Sequence, residues 1–252
     1  PDYHMTTQAN AGIVPGFAFF SDTVRDILKG SVFENTEKGF VSGEVVSGKL
    51  LHQCFMGTPD WACEPAQSVN YVSCHDNNTL IDRITLSTPE SSRADRVKMN
   101  NLAAAFVLTA QGAPFFQAGE EMLRTKPDGN GGFDDNSYRA PDQVNALNWE
   151  CLNETEYKKN VEYYRGLLAF RKAHPILRLT TRKGVQEVVT PISVPETHAA
   201  AYLLGNNMFI AFNASTEELE ISIPDGSWDV HVYGDCAGTT TLFKADHLIT
   251  IP

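Results

Sequence analysis

Apolar and polar positions along this 252-residue chain change rhythm about two-thirds of the way through. Before that point, short apolar runs alternate with stretches of helical spacing. Residues 16–20 (GFAFF) read as a strand, and SDTVRDILKG follows as a short helix. Ser21 or Asp22 is its N-cap, Val24, Ile27 and Leu28 form one face, and Gly30 is the stop. Residues 31–60 are rich in Gly, Ser and Thr with scattered aromatics (Phe33, Phe40, Phe55, then Trp61), which predicts a long surface excursion. In residues 68–78 (SVNYVSCHDNN), Val69, Tyr71 and Val72 form a buried strand that stops at His75-Asp76, and a helix opens at 79–81. Residues 89–92 introduce a long helix over 93–111 that ends at Gly112, its 102–109 half apolar nearly all round and so buried. Residues 113–116 form a second apolar strand with polar groups (117–121) at its end. Residues 154–173 predict an amphipathic helix with Tyr157, Val161, Tyr164 and Leu168 as its core stripe, closed by Pro175.

From about residue 176 the period shortens to two. Runs at 185–190, 199–204, 208–213, 219–223, 228–233 and 248–251 are divided by Pro, Gly, Asn and Ser, the pattern of a small antiparallel sandwich. The boundary falls near 175–181, giving a 1–175 α/β unit and a 176–252 all-β unit. Residues 1–12 are polar and irregular.

Two successive strand–helix units with polar strand ends are the repeat of a (β/α) barrel or an open parallel sheet. In such folds chemistry sits just past the carboxyl ends of the strands, so His75 and Asp76 are the first candidates for function. The alternative is that Asp76 caps the next helix and His75 makes a local hydrogen bond. The Gly/Asp/Asn-rich stretch 126–142 is too long for a routine connection and reads as a binding loop. It reads otherwise as a solvated loop, or as a carboxylate-rich loop holding calcium, although its spacing is not that of an EF-hand.

Composition narrows the ligand. A net charge of -11, from 31 acidic against 20 basic residues, argues against nucleic acid and against anionic membrane surfaces. No apolar run is long enough to span a bilayer. Cys54, Cys63, Cys74, Cys151 and Cys236 are an odd set without CxxC spacing, which points to free thiols; between a cytoplasmic and a secreted parent, both left open, this slightly favours the reducing cytoplasm. An opening Pro1 in place of Met implies a natural start further upstream.

With both strand ends in view, YVSCHDNNTLIDRI resembles the corresponding segment of type I pullulanases, debranching members of the α-amylase superfamily of glycoside hydrolases. GAPFFQAGEEMLRTK is similar to the next barrel strand and its loop, and DDNSYRAPDQVNALNW to the loop that lines the donor subsites. FFSDTVRDILKGSVF and GFVSG are similar to the stretch after the family's acid/base Glu. The resemblance spans residues 16–149. It implies the C-terminal part of a (β/α)8 TIM-type barrel followed by a small antiparallel β-sandwich, and cleavage of α-1,6 links in pullulan, glycogen or limit dextrins. No cofactor is required, and a structural calcium ion is allowed.

Residue by residue, the resemblance makes Asp76 the carboxylate that stabilises the transition state and His75 the donor to the sugar in the reacting subsite. Asn77 lines the same site, while Asn136, Tyr138, Asp142 and Asn145 contact substrate or line the cleft. Ala146 stands where some relatives carry Arg, which removes a bidentate sugar contact. The family's nucleophile, an Asp two residues after an Arg at a strand end, has no counterpart: Arg93-Ala94-Asp95 lies at a helix start. Its acid/base Glu has none either. Glu120 and Glu121 are read as structural. The chain is therefore expected to need the missing N-terminal portion of the same enzyme as its partner. The alternatives are a non-catalytic carbohydrate-binding fragment and a superfamily hydrolase acting on α-1,4 links.

Overall fold

Three short parallel strands organise the first part of the chain in a computed structural model that describes residues 5–194 and 198–252. Strand β1 (Phe19–Phe20) leads into α1 (Asp22–Lys29) and α2 (Gly48–Phe55); β2 (Ser68–Asn70) leads into α3 (Leu80–Ser87) and α4 (Arg93–Thr109); β3 (Ala113–Pro114) follows. β2 is central, with Phe19 opposite Ser68 on one side and Val69 opposite Ala113 on the other. Local chemistry sets the helix starts. The hydroxyl of Ser21 accepts from the Val24 amide (3.3 Å), and those of Ser47, Thr79 and Ser92 accept likewise from Leu50, Asp82 and Asp95.

A single-turn α5 (Asp142–Asn145) and the long α6 (Thr155–Ala173) complete this part. Then come α7 (Arg182–Val188) and seven antiparallel strands: β4 (Val189–Ile192), β5 (Ala199–Leu204), β6 (Met208–Asn213), β7 (Leu219–Val230), β8 (Val232–Tyr233), β9 (Cys236–Ala237) and β10 (Phe243–Ile251). They pair as β4-β5-β6, β7-β10 and β8-β9. The architecture is thus mixed α/β, with parallel pairing first and antiparallel pairing second.

One apolar core runs through both parts. Phe55 of α2 stacks on Tyr202 of β5 with ring centroids 3.9 Å apart, and Phe106 of α4 meets Phe212 of β6 at 5.2 Å. Buried Arg171 on α6 donates to the carbonyls of Leu108, Ala110 and Gly112, satisfying the C-terminal end of α4. Among the described residues, no helix is long and apolar enough to cross a membrane.

Five expectations change. Residues 31–60 are no surface excursion: Phe40, Val41, Leu51, Cys54 and Phe55 are all buried. The segment folds back because Gly30 adopts φ 85° and Gly39 lies so close that a Cβ would sit 2.4 Å from the Gly30 nitrogen. The strand expected at 113–116 is paired only at Ala113–Pro114, and both residues are exposed. The buried stripe of α6 is Asn160, Tyr163, Tyr164, Leu167 and Phe170, so Leu168 faces solvent at 41% exposure. Residues 182–188 are helical and not extended. Val185 and Val189 fit a strand face or a helical i, i+4 pair equally well, and the Thr181 hydroxyl, accepting from the Gly184 amide, starts a helix. Residues 8–13 form a 3-10 turn within the stretch taken as irregular, whose first four residues lie outside those described.

Candidate active site

Burial falls away abruptly three residues past the end of β2. Tyr71, Val72 and Ser73 are buried, Cys74 is half-buried, and the side chains of His75 and Asp76 stand 85% and 67% exposed. His75 Nε2 lies 3.4 Å from Asp76 Oδ2. Asn77 then takes φ 63°, a left-handed conformation that Asn tolerates better than most residues. That turn sends Asn78 inward, where its amide donates to Asn35 Oδ1 at 3.2 Å. Thr79 caps α3, so Asp76 is not the helix cap and its carboxylate faces solvent.

Both sides of this exposed turn are anchored. Beneath it, the Ser73 hydroxyl donates to Glu120 Oε2, while the Tyr164 hydroxyl donates to Oε1 at 3.1 Å and accepts from Asn100. Glu120 is 6% exposed. Burial pushes its carboxyl up to about 7, against the pull of the two hydroxyls and of Lys29. Lys29 is itself buried, and desolvation together with Arg25 brings its ammonium down to about 8. Glu120 is thus held out of solvent beneath the turn by both hydroxyls.

This shift has a sign. Between pH 4.5 and about 7 the folded chain keeps a proton on Glu120 that the unfolded chain releases. The group's contribution to stability is present at low pH and is lost as pH rises through 7. Glu120→Gln is expected to remove that slope, so the variant gains on the parent by about 1–3 kcal/mol between pH 5 and 8. Urea midpoints across that range measure it; a difference independent of pH would show that the carboxyl titrates normally.

On the far side, the anchor is a residue that pattern reading passed over. Arg83 of α3 is 1% exposed, and its guanidinium donates to the carbonyls of Ser31, Glu34, Asn35 and Glu37. It gathers the whole 31–37 segment, including the Asn35 that receives Asn78. The only local signal was an arginine in an apolar helical face (Leu80, Ile81, Ile84).

The 126–142 loop is tied to the same helix. Buried Asp82 accepts from the Lys126 amide at 2.8 Å and from the Thr125 hydroxyl. Desolvation raises its pKa and these bonds oppose the rise. Lys126 Nζ donates to the Ser137 hydroxyl (2.6 Å), which donates in turn to Asn145 Oδ1 (3.0 Å). The Asn145 amide nitrogen donates to the carbonyls of Ser137 and Ala140. Asn145 therefore clamps the loop onto itself. Asn136, Tyr138 and Asp142 are exposed, and the Arg139 guanidinium lies 5.0 Å from the Tyr138 ring centroid. Asp128 and Asp134 accept from turn amides within the loop. Phe33 (93% exposed) and Trp149 (63%) add aromatic surface.

Glu121 accepts from the Gly119 amide. Arg93 pairs with Glu156 and Asp95 with the Ser92 hydroxyl, so both Arg93 and Asp95 belong to an exposed helix start. All five cysteines are free thiols.

No protein-family model matches the chain. Pullulanase from Bacillus subtilis is 33% identical over 239 residues, covering 89% of this chain and 32% of that protein. The structure of pullulanase from Bacillus acidopullulyticus matches with a TM-score of 0.86 at 34% identity, over 94% of this chain and 29% of the other. That of Paenibacillus barengoltzii pullulanase in complex with maltohexaose and alpha-cyclodextrin matches with a TM-score of 0.82 at 37% identity, over 89% and 36%. The relatives of this chain are pullulanases, with an isoamylase among them at 25% identity, and the chain spans about a third of the length of the three pullulanases named.

Proposed function

We propose that this pullulanase-like chain supplies one wall of the glucan cleft of a retaining glycoside hydrolase that cleaves α-1,6 branch links. The observation behind the reading is the joint exposure of His75 and Asp76 at the carboxyl end of the central parallel strand. In retaining cleavage a nucleophile and a protonated acid stand roughly 5 Å apart about an oxocarbenium-like transition state. An additional ionised carboxylate that accepts from ring hydroxyls favours the developing positive charge. Asp76 takes that role and His75 donates to the same hydroxyls. The bond-making and bond-breaking carboxylates come from a preceding portion of the same protein.

The same reading makes β1, β2 and β3 the last strands of a (β/α)8 barrel, residues 1–175 its C-terminal portion and 176–252 a β-sandwich. Exposed Ala113, Pro114, Phe17 and Phe20 fit surface that further strands cover. Asn77, Asn136, Tyr138 and Asp142 line the cleft. Asn145 acts through the loop it holds. The substrate is an α-glucan, which binds through hydroxyls and aromatic faces without a cofactor; a calcium ion has a structural place only.

The test has two arms. The 252-residue chain is expected to release no reducing sugar from pullulan, yet to give a calorimetric signal with maltotriose. The full-length protein is expected to release sugar from pullulan and not from amylose. Release from amylose alone would favour an α-1,4 hydrolase. Inactivity of the full-length protein, with maltotriose bound, would leave a binding module.

A further inference from the structure

We propose that Cys74, His75 and Asp76 together form an open site for a borderline-soft divalent ion such as zinc. Their ligating atoms, Sγ, an imidazole nitrogen and a carboxylate oxygen, all lie within 4.8 Å of one another. Among the described residues, no other group of three His, Cys, Asp or Glu side chains converges in this way.

Consecutive residues on a strand point to opposite faces and could not share an ion. Here β2 ends at Asn70, and the chain has already bent when it reaches Cys74. Three adjacent side chains can therefore turn to one side. His75 and Asp76 are already 3.4 Å apart, close to the roughly 3.5 Å that zinc bond lengths require between neighbouring ligands. Closing the widest separation needs a movement on the order of 1 Å. The exposed imidazole and carboxylate can supply it by rotation. The backbone under them is held by the Ser73–Glu120 and Asn78–Asn35 bonds on either side, so the ligands are presented from a fixed base.

A thiolate, an imidazole and a carboxylate form a donor set that suits zinc better than calcium or magnesium, which take oxygen ligands. Three protein ligands leave a fourth position for water. If the glucan reading above is right, the ion occupies the groups that would hold the sugar, and it acts as a competitive inhibitor.

Cobalt(II) titration of the 252-residue chain, read by the near-ultraviolet thiolate-to-cobalt absorption, tests the site. One equivalent is expected to bind, and zinc is expected to displace it. Cys74→Ser should abolish the band. His75→Ala and Asp76→Asn should weaken binding by at least the 10- to 100-fold typical of losing a supporting group. Cys63→Ser and Cys236→Ser, which remove the two exposed cysteines, should leave the band intact. Absence of a band from the unaltered chain, or its survival in Cys74→Ser, overturns the proposal. Adding maltotriose separates the two readings. Metal binding that maltotriose does not weaken keeps the metal site and counts against the sugar role of His75 and Asp76. Maltotriose binding without metal binding does the reverse.

Discussion

Asp76→Asn in the full-length protein is expected to lower turnover on pullulan roughly 10²–10³-fold, the scale of losing one preorganised electrostatic group at a developing charge. The substitution keeps the shape and one acceptor oxygen but removes the negative charge. In the proposed mechanism that charge matters most when the sugar ring carries positive charge, so kcat should fall and KM should move little. Folding should be unaffected. The Asp76 side chain is 67% exposed, its Oδ2 lies 3.4 Å from His75 Nε2, and it caps no helix. A change in stability within about 0.5 kcal/mol is the expectation for such a surface position. Steady-state kinetics and thermal melting on the same preparation check both halves. Turnover within threefold of the parent would remove Asp76 from the chemistry, and a large drop in melting temperature would make it structural.

The largest effect on stability is expected at Arg83, not at any residue of the exposed turn. Arg83→Met keeps much of the side-chain volume and removes every donor. The carbonyls of Ser31, Glu34, Asn35 and Glu37 then lose their shared partner inside the fold. A loss of about 3–5 kcal/mol is expected, as when one side of a buried charged network is deleted. Burial of the guanidinium already works against its charge and holds its pKa below the usual arginine range. The expected loss is therefore mainly that of the stranded carbonyls. Arg93→Met is the control: its partner Glu156 sits at 3.2 Å on the surface, where such pairs contribute about 0–1 kcal/mol. Urea unfolding of the two variants measures the contrast. Equal small losses would mean that the 31–37 segment is held by something other than Arg83. Because Asn35 belongs to that segment and receives Asn78, weaker maltotriose binding should accompany the loss of stability.

These two residues mark how much of the site was legible in advance. Asp76 was legible as a candidate because a strand pattern stopped at a His-Asp pair, and the signal lies within eleven consecutive residues. Cys74 was seen only as one of five scattered thiols, since nothing local says that three adjacent side chains turn to the same side. Asn145 stood among the cleft-lining residues, and its contacts show a loop clamp. Phe33 was placed on a surface excursion and is exposed, whereas Phe40 and Phe55 of the same stretch are buried, because exposure depends on what packs against a residue.

The same division holds for the fold. Sequence alone narrowed the helix starts to Ser21 or Asp22, to 79–81 and to 89–92, and determined the end of α1 at Gly30 and the strands β5 and β6 to the residue. Each rests on hydrogen bonds or alternation within a few positions, so local chemistry suffices. Tertiary structure decided which face of α6 is buried, why residues 31–60 are core, and that Val185 turns in a helix. It also decided that Glu120 ends beneath the candidate site. Those outcomes depend on partners far along the chain: Arg83 reaches carbonyls 46 to 52 residues away, and Ser73 meets Glu120 across 47. Such pairings form only when the whole core closes, and no window of neighbouring residues contains both partners.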